Sequence, residues 1–385
     1  MSEAPLAGLK VIELARILAG PWIGQTLSDL GADVIKVESP EGDDTRKWGP
    51  PFIDDGAEKS AAYFHACNRG KRSIAADFSK LDDQQMVRQL IASADVVIEN
   101  FKVGGLQKYG LDYQSLKADN PRLIYCSVTG FGQAGPYAHR AGYDFMIQGM
   151  GGIMDLTGEP DGPPQKIGVA FADIFTGLYG VIAIQAALAQ REKTGLGQAI
   201  DMALLDCMSA VLANQAMNFA ASGVAPKRMG NAHPNIAPYQ TFPVADGHII
   251  IACGNDGQFA RLCGVLGLDG VAIKPEFATN AARVANRAAL TEIMEAATRR
   301  FSRDDLLAAL ERATVPAGPI NSVADLFADP QFAFREMKIM PDGVPGIRTP
   351  IMFSDADLNT ARRSPRLNEH RDEILAELSA GDQKD

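Results

Sequence analysis

The chain is short of positive charge. Its 37 Lys and Arg residues are outnumbered by 47 Asp and Glu, which gives a formal net charge of -10 over 385 residues. Sequence-independent nucleic-acid binding needs a basic surface, so nucleic acid is excluded as a partner. A small anionic ligand is not excluded, because a few local cations suffice for one. Cysteine is sparse and unpaired: Cys67, Cys126, Cys207, Cys253 and Cys263 form no CxxC. Neither a zinc site nor a disulfide framework is indicated, and the expected compartment is the reducing cytoplasm. The opening MSEAPLAGLK lacks the apolar core of a secretory signal. No run reaches the ~18–20 apolar residues of a membrane span, so no membrane is expected as a partner. The stretch Gly177 to Ala189 comes closest, ends in Arg191, Glu192 and Lys193, and reads as a buried helix.

Several catalytic fingerprints are missing too. No GxGxxG follows the first expected strand, where the turn is ARILAGP at 15–21. There is no P-loop and no GxSxG elbow. The five His residues (65, 139, 233, 248, 370) form no HxxxH pair. Dinucleotide, serine-hydrolase and metal-hydrolase chemistries are therefore poorly supported, and no metal is expected.

What is present is an ordinary globular composition, 46% hydrophobic and 22% charged. The length exceeds what one core usually serves, so two domains are expected. Short Val/Ile-rich runs alternate with helical stretches through the first half. LKVIEL (9–14), DVIKVE (33–38), RSIAADF (72–78), ADVVIENF (94–101) and LIYCSVTGF (123–131) read as strands. A helix is expected over Pro21–Leu30, a second over 174–190, and a long one after QAIDMAL (198–204) to about Ala221. The pattern predicts an α/β doubly wound, parallel-sheet large domain. The Gly, Pro and Asn-rich 222–238 reads as a loop, GHIIIACG (247–254) as a strand, and SRDD (302–305) as a capping box. GIRTPIMFSD (346–355) is expected to return a strand to the first domain, and 368–378 reads as helical. The expected division is 1–205 for the large domain, 206–224 as a helical linker, 225–325 as a smaller α+β domain, and 326–385 returning to the first.

Candidate site residues are dispersed. Ala19-Gly20-Pro21 sits at a strand's carboxyl end, where α/β folds bind ligands, or it is simply a tight turn. Basic residues follow strands: Arg69, Lys71 and Arg72, then Lys102 and Lys108, then His139 and Arg140. They could bind phosphates at a sheet edge, although a solvated surface is the usual explanation for scattered Lys and Arg. Glu99-Asn100-Phe101 puts an amide and a ring at a strand end, as adenine binding requires. Asp173, in the small apolar stretch VAFADIFTGLYG (169–180), suits either a helix N-cap or a carboxylate nucleophile.

Nearly the whole chain resembles the class III CoA-transferases, the family of formyl-CoA transferase and carnitine CoA-transferase. The resemblance is carried by PLAGLKVIELARILAGP, LSDLGADVIKVESPEGDDTR, ACNRGKRSIAADF, ADVVIENF, YCSVTGFGQAGP, RAGYDFMIQGMGGIMDLTGEPDGPP, GNAHPNIAPYQTF, DGHIIIACGNDGQF and VPAGPIN, in that order. Within the family, the DDTRKWGPPF, AHPNIAPYQ and GNDGQF segments are most similar to succinate–hydroxymethylglutarate (glutarate) CoA-transferases. The resemblance implies an interlocked homodimer, with acyl-CoA and a carboxylic acid as substrates. It implies Asp173 as the catalytic residue. It implies CoA contacts at Ile17, Leu18, Ala19, Lys71, Arg72, Asn100, Phe101, Lys108 and Arg140. Arg46, Tyr143, Arg228 and His233 are the candidates for the acid substrate. Two departures stand out. Ser39 occupies the place of a family arginine, and Lys108 replaces another, which loses bidentate geometry. The α-methylacyl-CoA racemases share the likeness but carry a His where this chain has Tyr143, so Asp173 lacks the proton-transfer partner a racemase needs.

Overall fold

The computed structural model describes residues 3–381. The chain divides into two compact units. The first takes the residues up to Ile153, Lys166–Gly223, and those from Pro330 on; the second takes Met154–Gln165 and Val224–Asp329.

The first unit is built on six strands. They are β1 (Lys10–Glu13), β2 (Asp33–Glu38), β3 (Arg72–Ala75), β4 (Val96–Glu99), β5 (Ile124–Thr129) and β6 (Ala199–Ala203). Their order is β3-β2-β1-β4-β5-β6 and every pairing is parallel. The order reverses between β1 and β4, which opens a crevice at the carboxyl ends of those strands. The four inner strands, β2, β1, β4 and β5, bury both faces, so their residues alternate between two cores. Val11, Val34, Ile98 and Cys126 face one core. Ile12, Ile35, Val97 and Tyr125 face the other. This is why the strands read as continuous apolar runs.

The first core is closed by α1 (Ala19–Asp29) together with α3 (Asp144–Met150), α4 (Phe171–Thr194) and α5 (Leu204–Ala210). The second is closed by α2 (Leu81–Ala92) and the C-terminal α10 (Arg371–Gly381), through Met86, Leu90 and Ile374. Helix α4, with 24 residues, is long and apolar enough by length and composition to cross a membrane, a length the sequence reading did not reach. Here Val181, Ile184 and Ala187 lie in the first core. Two glycines let it approach α1 closely: a Cβ at Gly177 would stand 2.9 Å from Trp22, and one at Gly180 would stand 2.4 Å from Ile23.

Two expectations are corrected. The long helix to Ala221 is broken into α5 and α6 (Ala213–Ser222), with Ala213 at φ 46 at the break. The strand expected over 346–355 is only Gly346–Ile347, paired with Lys338–Ile339 and not with the six-stranded sheet. The proline at 350 removes a donor that a ladder would need.

The second unit holds an antiparallel sheet of β7 (Tyr239–Val244), β8 (Gly247–Ala252) and β9 (Ala317–Pro319), in the order β9-β8-β7. Phe242, Ile249 and Ile251 pack against α7 (Asp256–Leu266), α8 (Arg287–Thr298) and α9 (Arg303–Arg312) through Phe259, Leu290 and Leu306. Ser302 caps α9 by accepting from the Asp305 amide.

Candidate active site

A cleft of about 1310 Å³ opens at the carboxyl ends of β1 to β5 in the first unit. Its lining comes from the segment after each strand: Leu14–Ala19, Ser39–Asp44, Ala76–Phe78, Asn100–Tyr109 and Thr129–Gly130, joined by Arg140–Tyr143 and Asp173. Nine of the residues that the resemblance assigns to the site meet here. They are Ile17, Leu18, Ala19, Asn100, Phe101, Lys108, Arg140, Tyr143 and Asp173.

Asp173 is the third residue of α4, and it does not cap the helix. The helix starts after Ala170, which offers no side chain to cap it. The free amides are met from α3. Asp144 Oδ1 accepts from Ala172 N at 2.8 Å and from Asp173 N at 3.4 Å. Gln148 donates to the other Asp144 oxygen at 2.7 Å and fixes that carboxylate. Capping is thus done by Asp144, and among the described residues none donates a hydrogen bond to the Asp173 carboxylate. Burial pushes the Asp173 pKa up to about 7, and the nearby negative charge of Asp144 adds to it. A carboxylate of that basicity, freed of structural partners and opening on a cleft, is equipped to attack an electrophile.

The cleft has an aromatic wall. Phe101 stacks on Phe78, with centroids 6.1 Å apart, and Phe78 leans on Tyr109 at 5.6 Å. Lys108 Nζ lies 4.6 Å from the Tyr109 ring, and Arg140 lies 4.7 Å from Tyr137. Flat apolar surfaces beside mobile cations suit a ligand with an aromatic ring and phosphates. Phe78, Tyr109 and Asp144 were not singled out from the sequence. Phe78 does follow a strand end, and Asp144 follows Tyr143 in the GYD segment, so position alone marked both.

Other expectations are corrected. Lys71 is 0% exposed and lies beneath the cleft. Its Nζ donates to Glu13, to Asn68 Oδ1 and to Pro21 O at 2.9 Å each. It belongs to a buried set of charges in which Lys36 also pairs with Glu13, and it does not line the cleft. Arg72 is turned away and joins Asp33 to Glu373 and Glu377 of α10. Arg46 is likewise committed: it holds Glu38 with two nitrogens, at 2.8 and 2.7 Å, and Glu58 at 2.9 Å, and it covers the Phe64 ring at 3.7 Å. The resemblance implied CoA contacts at Lys71 and Arg72, and Arg46 was a candidate cation for the acid, because a basic residue looks the same in sequence whether it meets a ligand or a buried carboxylate.

Asn100 has a different task from the one expected. Its side-chain amide grips the backbone of one residue, accepting from Arg16 N at 3.0 Å and donating to Arg16 O at 2.6 Å. The next residue, Ile17, sits at φ 72. A β-branched residue there is a true outlier, at a cost of roughly 1–3 kcal/mol.

Arg228 and His233 belong to the second unit. Arg228 pairs with Asp155 at 2.8 Å. His233 packs on Tyr239, and its Nδ1 accepts from Asn235 N at 3.1 Å. That bond leaves Nε2 as the protonated nitrogen of the neutral ring. Among the described residues no group of three or more His, Cys, Asp or Glu side chains could hold a metal ion.

Comparison with known proteins gives concordant matches. A family model described as CoA-transferase family III matches residues 6–371. The chain is 59% identical, over 98% of its length and 96% of the relative's, to the succinate–glutarate CoA-transferase of Agrobacterium fabrum. It is 40% identical to the succinyl-CoA:glutarate CoA-transferase of Mus musculus, over 98% of the chain and 87% of that protein. The crystal structure of a CAIB/BAIF family protein from Brucella suis superposes with a TM-score of 0.89 at 73% identity, covering 98% of this chain and 100% of that one.

Proposed function

The chain belongs to CoA-transferase family III, and from that premise we propose that it passes CoA from succinyl-CoA to a dicarboxylate such as glutarate or hydroxymethylglutarate, with Asp173 as nucleophile. Movement of CoA between an acyl-CoA and a carboxylic acid is the activity of the family. The choice of acids rests on likeness to the glutarate-using relatives. The observation that carries the role of Asp173 is its release from capping by Asp144, in the same cleft as Phe101, Lys108 and Arg140.

In this reading the adenine rests against the aromatic wall, the phosphates meet Lys108 and Arg140, and the thioester reaches Asp173. The carboxylate attacks the thioester carbonyl, CoA leaves as a thiolate, and an aspartyl–acyl anhydride forms. The thiolate then attacks the aspartyl carbonyl, which gives an aspartyl-CoA thioester and frees the donor acid. The acceptor carboxylate displaces the thiolate to form a second anhydride. The thiolate attacks the acyl carbonyl of that anhydride, releasing the new acyl-CoA and the Asp173 carboxylate. Each intermediate conserves the acyl bond energy, provided water is excluded. Tyr143 lines the cleft and is a candidate contact for the acid; Arg228 and His233 are candidates from the second unit. The reading includes an interlocked homodimer in the cytoplasm. The exposed apolar residues Leu178, Tyr179 and Ile182 on α4 and the five free cysteines support it.

The test is to incubate succinyl-CoA with glutarate, hydroxymethylglutarate, itaconate, mesaconate, oxalate and carnitine and to read the acyl-CoA products by mass spectrometry. Wild type forms a new acyl-CoA and Asp173→Ala does not. No transfer to any acid, with deuterium entering the α-position of a branched acyl-CoA in heavy water, overturns the reading in favour of a racemase.

A further inference from the structure

The turn after β1 carries an unusual density of side-chain to backbone bonds. Ala15 O accepts from Lys36 Nζ at 2.8 Å. Both backbone polar groups of Arg16 are held by Asn100. Ile17 N donates to the two oxygens of Asp43, at 3.2 and 3.4 Å. Asp43 is itself locked: it accepts from Thr45 N at 3.0 Å and Thr45 Oγ1 at 2.7 Å, and it pairs with Lys36 at 3.0 Å. Burial alone would raise its pKa, but the Lys36 ammonium and the Thr45 donors more than offset this and keep it ionised.

No ordinary turn needs three anchors, two from β2 and the segment after it (Lys36 and Asp43) and one from the end of β4 (Asn100). This one does, because Ile17 at φ 72 would relax to negative φ if released. A strained conformation persists only where its surroundings over-determine it, and such residues cluster at functional sites. The strained segment lines the cleft on both sides of Ile17. It also leads directly into α1, whose first residue, Ala19, lines the cleft too.

We propose that Asp43 and Asn100 are positioning residues for CoA transfer, which hold the Ala15–Leu18 turn in the strained shape that receives CoA. The inference rests on the reading of the cleft as the CoA site. Neither residue supplies a reacting atom. Asp43 acts through the Ile17 amide and Asn100 through the Arg16 backbone. The energy of the buried charges around Lys36 is thereby spent on the ligand cradle. An isosteric Asn at position 43 places an amide nitrogen where an oxygen now faces two donors, Ile17 N and Lys36 Nζ, so the anchor is lost with little change in volume.

The test is a double-mutant cycle read as CoA affinity by calorimetry and as kcat/KM for succinyl-CoA. Asp43→Asn weakens CoA binding by about tenfold or more in the wild-type background. In the Ile17→Gly background, where the left-handed conformation carries no steric cost, the same substitution costs less than about threefold. Asn100→Ala is run through the same cycle, so the test survives if Asp43→Asn does not fold. It shows the same coupling to Ile17→Gly. Equal losses in both backgrounds overturn the proposal, since a merely structural role does not depend on the residue at position 17. Wild-type protein that binds no CoA is a different result: it removes the reading of the cleft itself.

Discussion

Asp144 accepts the backbone amide of Asp173 at 3.4 Å, and its charge helps to keep the Asp173 side chain basic. One acid thus does the structural work at the helix start and conditions the other. Asp173 reaches a pKa of about 7, against an ordinary 3.8, through burial first and Asp144 second. Only the ionised form attacks, so transfer rates rise as pH increases through about 7. Asp144→Asn keeps an acceptor for the Ala172 amide but removes the charge. Its rate profile shifts to lower pH, measured as kcat against pH between about 5 and 9.

The same shift has a stability consequence of known sign. The folded state holds the Asp173 proton more tightly than the unfolded state. Stability is therefore lost as pH rises from about 4 to about 7, and the loss persists above that window. Asp173→Asn is inactive in the transfer assay yet more stable than wild type at pH 8, by on the order of 1 kcal/mol or more. Urea titrations at pH 4 and pH 8 check this: the gain is present at pH 8 and absent at pH 4.

Lys71 separates a structural lysine from a binding one. Lys71→Met strands Glu13 without one of its two ammonium partners in a site fully closed to water. Breaking a buried pair on one side costs roughly 3–5 kcal/mol. The expected result is a large fall in the denaturation midpoint. Lys108→Met leaves stability near wild type and weakens CoA severalfold, with a reduced dependence on salt.

Gly180 tests the helix pair beneath the site. A Cβ there falls 2.4 Å from Ile23 Cδ1. Gly180→Val therefore pushes α4 from α1 and lowers stability by about 1–3 kcal/mol. Because Asp173 rides on α4, kcat falls with it. Ile23→Ala in the same chain opens space and restores part of both, as read by thermal melts and the transfer assay.

Much of the fold was legible because both faces of the parallel sheet are buried. Val34-Ile35 and Val96-Val97-Ile98 are apolar at every position, and no other arrangement hides such runs between helices. The cleft was legible through strand ends: Asn100, Phe101 and Lys108 all follow β4. Charge partners were not legible. Arg46 meets Glu38 only 8 positions away, but Lys71 meets Glu13 across 58 positions and Arg72 meets Glu377 across 305, so neither spacing nor composition distinguishes these cations from ligand contacts. The segment GFGQAG at 130–135 shows the converse. It has the glycine spacing of a dinucleotide loop, but it follows β5, and Gly130 serves a backbone crossing in which its Cβ would stand 2.5 Å from Gly142.

The edge strand β3 is finished by residues some 300 positions downstream. Ser73 N donates to His370 Nδ1 at 3.2 Å, His370 N to Ser73 O at 3.0 Å, and Ala75 N to Asn368 Oδ1 at 2.8 Å. Arg72 then pins the following helix through Glu373 and Glu377. During synthesis these partners emerge from the ribosome long after β3 itself. The growing protein therefore carries an open sheet edge, a template for wrong pairing, until residues 368–377 have emerged.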